Sequence, residues 1–331
     1  MARSRLLPDN FTLTLLAVVL TASLLPASGQ VATVFEWITD LAIALLFFLH
    51  GAKLSRQAII AGAGHWRLHL LVFSCTFIIF PLLGLLLRPL LEPLLGTELF
   101  MGMLYLCALP ATVQSAIAFT SLARGNIPAA ICSAAASSLL GIFLTPLLVA
   151  LLMGVHGDNG STLDAIGKIS LQLLLPFVLG QIAQRWIGGW VTKNKNWLKY
   201  VDQSSILLVV YTAFSAAVIG GLWQEVPLIT LLALILACCV LLALALLSTH
   251  LLGKWLGFNQ EDRITILFCG SKKSLATGVP MAQVLFAGSS IGVLILPLML
   301  FHQIQLMVCA VLAQRYASRP EAEVIEARTA S

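Results

Sequence analysis

Long apolar stretches succeed one another from residue 10 to residue 314, separated by short connections carrying Gly, Pro, Asn, Asp and Lys. A helix rises about 1.5 Å per residue, so crossing about 30 Å of hydrocarbon takes about 20 apolar residues. Ten stretches meet that length: 10–29, 34–51, 68–87, 98–123, 127–154, 164–187, 202–222, 226–251, 263–287 and 289–314. They are numbered here as spans 1 to 10. The pattern predicts an all-α integral membrane protein of about ten transmembrane helices, occupying residues 1–331 as a single membrane domain. A polar tail, 317–331, is expected to be disordered.

Composition agrees with lipid as the solvent. Charged residues make up 10% of the chain and hydrophobic residues 59%, whereas a soluble domain carries about 25% charged residues. Arg3 and Arg5 precede an apolar stretch, but 26–30 reads Pro-Ala-Ser-Gly-Gln and lacks a small-x-small cleavage pattern, so span 1 is expected to be retained. The seven cysteines all lie in apolar runs and none forms Cys-x-x-Cys, which reads as helix packing.

The net charge of +5 is scattered through short loops, which points to topology and away from nucleic acid. Fifteen of the 19 Lys and Arg residues fall in the N-terminus, the tail and the even-numbered connections, and only Arg88 and Lys168 in the odd-numbered ones. Positive charge stays on the cytoplasmic side. Ten spans with both termini cytoplasmic satisfy that bias, in the plasma membrane, or the inner membrane of a bacterium. Trp66, Trp186, Trp190, Trp197 and Trp255 fall near the cytoplasmic borders, as an aromatic belt does.

Span 5 contains Ser137-Ser138 followed by Gly141 and Pro146-Leu147, and span 10 contains Ser289-Ser290 followed by Gly292 and Pro297-Leu298. Each is the fifth span of its half. Two five-helix halves, about 10–154 and 164–314, must lie in opposite orientations, the inverted-repeat plan of secondary transporters. Coincidence between two apolar helices is the alternative.

In such carriers the site lies near the midplane, where paired helices are interrupted and backbone groups are free. The fourth span of each half is the interrupted one. Span 4 places Pro110 mid-helix, with Thr112, Gln114 and Ser115 beside it. Span 9 reads Gly270-Ser271-Lys272-Lys273-Ser274-Leu-Ala-Thr277-Gly278-Val-Pro280. Each lysine at a helix centre opposes insertion by about 2.5–3.5 kcal/mol, unless it lines water, meets an anion or loses a proton. Snorkelling to an interface, or a loop at 271–274, are the blander readings. On an intact helix neighbouring side chains point about 100° apart, so one lysine at most would face a site squarely; an unwound break would relax that.

Other intramembrane polar residues carry weaker signals. Glu36 and Asp40 read as a solvated entrance before a coupling site, and His50 as an interface residue before a proton relay. His302, Gln303 and Gln305 read as helix–helix hydrogen bonding before substrate contact. There is no Walker A loop, no His/Cys metal spacing and no Gly-x-Ser-x-Gly elbow, so ATP-driven transport and enzyme chemistry have no support.

Together these features resemble the bile acid:sodium symporter superfamily. The resemblance is carried by Leu46-Phe-Phe-Leu-His50-Gly51-Ala-Lys53-Leu54, by Leu109-Pro110 with Ser115, and by Leu122-Ala-Arg-Gly-Asn126. Thr145-Pro146 and Arg263 followed by Gly270 add to it. The Gly270-Ser-Lys-Lys-Ser274 segment points to the branch of bacterial YfeH-like symporters and the seventh member of the vertebrate solute carrier 10 family, over residues 8–316.

The resemblance implies a core of spans 3–5 and 8–10 in which the broken helices 4 and 9 cross, and a panel of spans 1, 2, 6 and 7 that moves against it. It also implies sodium ligands: Ser115 and Ser138 remain available, whereas an acidic ligand falls at or near Phe268 and amide ligands fall at Lys272 and Lys273. Losing a carboxylate and gaining an ammonium nearby is incompatible with cation affinity.

The expected function is therefore a secondary, symporter-like carrier of a small organic anion in the lipid bilayer, working by alternating access. Lys272 or Lys273 would neutralise the substrate, and Thr112, Gln114, Ser115, Ser271, Ser274 and Thr277 would orient it. Without its sodium ligands, coupling would pass to the proton, or a lysine would act as a fixed charge and leave the carrier uncoupled. Transport should then be insensitive to replacing sodium by choline and responsive to pH. The rival is a membrane protein that transports nothing and regulates a partner through its cytoplasmic loops.

Overall fold

The computed structural model describes residues 10–53, 64–153, 162–286 and 291–319. Arg3, Arg5, Leu54, Arg56, Ser289, Ser290 and the tail from residue 320 lie outside them, as does the side chain of Lys168. All regular structure among the described residues is helical.

The helices are α1 (Asn10–Leu24), α2 (Gly29–Lys53), α3 (Trp66–Leu95), α4 (Thr97–Ala108), α5 (Gln114–Leu122), α6 (Ile127–Met153) and α7 (Thr162–Lys193). They continue with α8 (Lys195–Ile219), α9 (Leu228–Trp255), α10 (Gln260–Gly270), α11 (Leu275–Leu285) and α12 (Ile291–Ala317). One further turn, Leu222–Glu225, joins α8 to α9. Six of the helices (α2, α3, α6, α8, α9 and α12) are long and apolar enough to cross a membrane. Spans 4 and 9 each appear as two short helices, α4–α5 and α10–α11, separated by residues without helical structure.

Hydropathy places the apolar segments but misses their polar extensions. α3 continues to Leu95 rather than ending near 87, because Arg88 donates to Glu92 one turn on and keeps the helix going beyond the apolar run. α8 begins at Lys195, earlier than its apolar run, because Leu198 in that polar turn packs with Leu49, Ala52 and Val191.

The helices pack in two groups. α2 lies along α7, α1 along α8, and α8 also meets α2. The other group joins α3, α4, α6, α9, α10 and α12, with α5 against α6, α10 and α12 and α11 against α12; the groups meet where α8 touches α11 and α12 and where α7 touches α6. Glycines set the closest approach in the first group. A Cβ on Gly51 would lie 2.0 Å from the Phe177 carbonyl oxygen, and one on Gly180 would lie 1.9 Å from that of Phe48. The α2 and α7 backbones therefore touch where no side chain fits, as small residues allow between apolar helices. At the end of these helices Lys53 pairs with Asp202 of α8, and Thr39 hydrogen-bonds Thr212 at 2.9 Å.

The outer surface is apolar: Leu86, Leu151 and Ile229 are 71%, 76% and 72% exposed. Exposed patches of this kind fit lipid and not water. Trp66, Trp186, Trp190, Trp197 and Trp255 are all exposed. Glu36 and Asp40 are exposed as well.

The serine–glycine–proline motif does not mark equivalent positions in spans 5 and 10. Gly141 sits near the middle of the 27-residue α6, where a Cβ would lie 2.6 Å from the Pro110 ring. Gly292 is the second residue of the 27-residue α12, and a Cβ there would lie 2.5 Å from Ala217 of α8. One glycine makes room for the helix break and the other for a neighbouring helix.

Candidate functional site

The two interruptions meet. Proline has no N–H and disfavours helical backbone at the residue before it. Leu109 accordingly turns to φ −74°, ψ 155°, and α4 ends. Several of the groups released there find partners across the fold. Thr145 Oγ1 donates to Ala108 O at 2.9 Å, and Ala111 N donates to Ser137 Oγ at 3.0 Å. Ser274 N donates across to Pro110 O at 3.0 Å, which stitches one break to the other.

The second break runs from Ser271 to Ser274 between α10 and α11. Ser274 caps α11, its Oγ accepting from Thr277 N and lying 3.0 Å from Thr277 Oγ1. Ser271 Oγ donates back to Leu267 O. Gln305 of α12 grips the unwound backbone with both ends of its amide: Oε1 accepts from Lys273 N at 2.9 Å and Nε2 donates to Lys273 O at 2.8 Å. Nε2 also lies 2.9 Å from His302 Nδ1.

Because the chain is unwound, both lysines point inward, and each is 0% exposed. They meet different surroundings. Lys273 Nζ donates to Thr76 O at 2.7 Å, Cys107 O at 2.8 Å and Leu109 O at 2.7 Å, and lies 4.2 Å from the centre of the Phe80 ring. Thr76 belongs to a π-helical turn, Cys75–Ile79, within α3. Such turns disturb the regular hydrogen-bond ladder and recur at functional positions. Lys272 Nζ donates to Ser115 Oγ at 2.8 Å and lies 4.1 Å from the centre of the Phe119 ring. Ser115 Oγ donates onward to Thr112 Oγ1 at 2.9 Å.

No carboxylate pairs with either lysine among the described residues, where the ion pairs are Lys53–Asp202 and Arg88–Glu92. The carboxylate nearest in sequence is held elsewhere. Asp262 accepts from Asn126 Nδ2 at 2.8 Å, about 12 Å along α10 from Gly270. Phe268, where the resemblance puts an acidic ligand, is buried with its ring 6.0 Å from that of Phe119. It backs the aromatic face that Lys272 rests on.

The structure thus gathers Thr112, Ser115 and Lys272 into one chain of hydrogen bonds, Ser274 and Thr277 into a cap, and Lys273 into a ring of carbonyls. Gln114 is exposed, and the Ser138 hydroxyl has no hydrogen-bond partner among the described residues. Gln305 reads from the sequence as a helix-packing residue and turns out to hold the break itself; its signal was the polar cluster His302, Gln303 and Gln305 in a mainly apolar helix. Phe80, Phe119 and Tyr105, whose hydroxyl donates to Gly278 O at 2.6 Å, gave no signal, because an aromatic ring in an apolar span is unremarkable composition. A cavity of about 530 Å³ lies apart from the breaks, lined by His65, Trp66, Arg67, Phe258, Asn259 and Asp262 among others.

Comparison with known proteins finds one family and several relatives along nearly the whole chain. The profile of the SBF-like CPA transporter family matches residues 9–318. An uncharacterized protein of Pseudomonas aeruginosa is 72% identical over 319 residues, 96% of each chain. The Escherichia coli protein named "Putative symporter YfeH" is 61% identical over 313 residues, 95% of this chain and 94% of that one. Sodium/bile acid cotransporter 7-B of Xenopus laevis is 28% identical over 317 residues, 93% of this chain and 91% of that one.

Proposed function

The chain belongs to the SBF-like CPA transporter family, and we propose that it carries a small organic anion across the membrane by alternating access, with Lys272 as the group that meets the anion's charge. It is a multi-pass membrane protein of a transporter family and not an enzyme. Nothing in its relatives supports a purely regulatory role.

The observation that carries the reading is a pair of buried lysines, without a carboxylate partner among the described residues, where two interrupted helices meet. A buried charge is costly unless it is paired. Lys273 satisfies its donors on backbone, whereas Lys272 has one hydroxyl and a ring face. An anionic group is the partner that Lys272 lacks, and Ser115 and Thr112 are placed to hydrogen-bond it. Both lysines are sealed in this conformation, so binding requires the helix groups to separate. The exposed Gln114 and half-buried Ser115 support an opening on the α5 side of the break.

The architecture we propose is ten membrane crossings in two inverted halves, with both termini in the cytoplasm and the plasma membrane, the inner membrane in a bacterium, as location. Packing supports it, because contacts recur in pairs related by exchange of the halves: α1–α8 with α2–α7, α3–α4 with α9–α10, α5–α6 with α11–α12, and α4–α12 with α6–α10. The distribution of Lys and Arg supports the orientation. The group of α1, α2, α7 and α8 would rock against the rest.

The proposed coupling ion is the proton. Ser115 Oγ can accept from an ammonium or donate to a neutral amine, so Lys272 can lose a proton without stranding its partner. The test is uptake of radiolabelled mono- and dicarboxylates into liposomes holding this protein alone, with sodium and proton gradients imposed separately. Uptake that follows the proton gradient and survives replacement of sodium by choline is expected. No uptake of any anion, together with no anion-dependent stabilisation of the purified protein, would overturn the carrier reading.

A further inference from the structure

The surroundings of Lys273 support a second conclusion. Three backbone carbonyls converge on its nitrogen, each from a place where regular α-helix fails: Thr76 in the π-helical turn, and Cys107 and Leu109 at the unwound end of α4. Unwound carbonyls and the C-terminal ends of half-helices are the donors from which transporters build sites for alkali cations. Rings of carbonyls do the same in channels. Here that donor set surrounds a side chain.

The protonation state follows from hydrogen-bond valence. A carbonyl oxygen only accepts, so three of them around one nitrogen use three N–H bonds, the full complement of an ammonium and one more than a neutral amine has. The Phe80 ring lies 4.2 Å from the nitrogen, and an aromatic face favours a cation. The two hydrogen bonds from Gln305 to the Lys273 backbone fix the point from which the side chain reaches.

We propose that Lys273 is a tethered cation: its ammonium permanently fills a carbonyl-lined site for an alkali cation, so the protein folds and works without one. Only the last consequence rests on the carrier reading; occupancy of the carbonyl ring does not. The ring provides the oxygen ligands, and the lysine decides that no free ion enters.

Removing the side chain should therefore expose a site. The full-length protein, Lys273→Ala and Lys272→Ala are purified in detergent. Their unfolding temperatures are measured at fixed pH and ionic strength in sodium, potassium, methylammonium and N-methylglucamine chloride. The natural protein is expected to give one temperature in all four salts. Lys273→Ala should be stabilised saturably by a small cation, by roughly 5 °C at 100 times its Kd, and Lys272→Ala should not. Saturable stabilisation of the natural protein by sodium or potassium would overturn the proposal, and so would a Lys273→Ala variant indifferent to all four cations. If Lys273→Ala cannot be purified, Lys273→Ser is measured in native membranes by its aggregation temperature, and a flat response there counts equally against the carbonyl site. The two readings fail separately. An anion carrier driven steeply by sodium would refute the tethered cation and keep the carrier. A cation-responsive Lys273→Ala in a protein that moves no anion would do the reverse.

Discussion

Replacing either lysine of the break with methionine deletes the same charge from neighbouring positions, yet the two variants should behave differently. Lys273→Met strands at least the carbonyls of Cys107 and Leu109, which lie at the end of α4 and have Lys273 as their donor. A buried unsatisfied backbone group costs about 1–3 kcal/mol, so two of them cost about 2–6 kcal/mol. Lys272→Met strands nothing comparable, because Ser115 keeps its hydrogen bond to Thr112. Both variants gain alike from losing a charge that opposes insertion by about 2.5–3.5 kcal/mol, so this gain cancels in the comparison. The expected result is that Lys273→Met unfolds about 5 °C or more below Lys272→Met. Lys272→Met should match or exceed the natural protein in stability while losing anion uptake. The measurement is thermal unfolding of the two purified variants side by side, with uptake into proteoliposomes as the functional readout. Equal unfolding temperatures would refute the asymmetry and with it the assignment of the carbonyls to Lys273 alone. Normal uptake by Lys272→Met would remove that lysine from the mechanism.

Three further outcomes are expected. Gln305→Leu leaves the Lys273 N–H and carbonyl without partners and should lower stability by about 2–6 kcal/mol, whereas Gln114→Leu, at an exposed position, should barely change it; thermal unfolding reads both. Gly180→Leu forces a Cβ to within 1.9 Å of the Phe48 carbonyl oxygen, so α2 and α7 must separate, and the yield of monodisperse protein on size-exclusion chromatography should fall sharply. A topology reporter fused after residue 331 or inserted in 188–200 should report cytoplasm, and one in 155–165 the opposite side; agreement between the last two would refute ten crossings.

Much of the architecture was legible in the chain because a bilayer reads hydrophobic length directly. Eight of the apolar stretches became single helices and spans 4 and 9 became pairs; Pro110 follows the end of α4, where its ring removes a donor, although Pro146, Pro176 and Pro297 sit inside continuous helices. The 271–274 segment announced itself as an interruption by putting two ammonium groups where lipid tolerates none unaided. Those properties belong to single residues or to neighbours along the chain.

The division of labour between the lysines could not be read in the same way. In the sequence Lys272 and Lys273 are interchangeable, and the Ser137–Pro146 and Ser289–Pro297 motifs look like copies. In the fold one lysine is caged by backbone and the other rests on a single hydroxyl, and the motif glycines, Gly141 and Gly292, face unrelated neighbours. The partners of Lys273 at Leu109 and Thr76 lie 164 and 197 positions away, and the partner of Lys272 lies 157 away. Two of Lys273's carbonyl partners belong to residues, Cys107 and Leu109, whose side chains are indifferent to the task. A hydrogen bond depends on distance and direction in space, and a carbonyl oxygen is the same group on every residue. Only the meeting of α3, α4 and the second break decided which oxygens Lys273 would find.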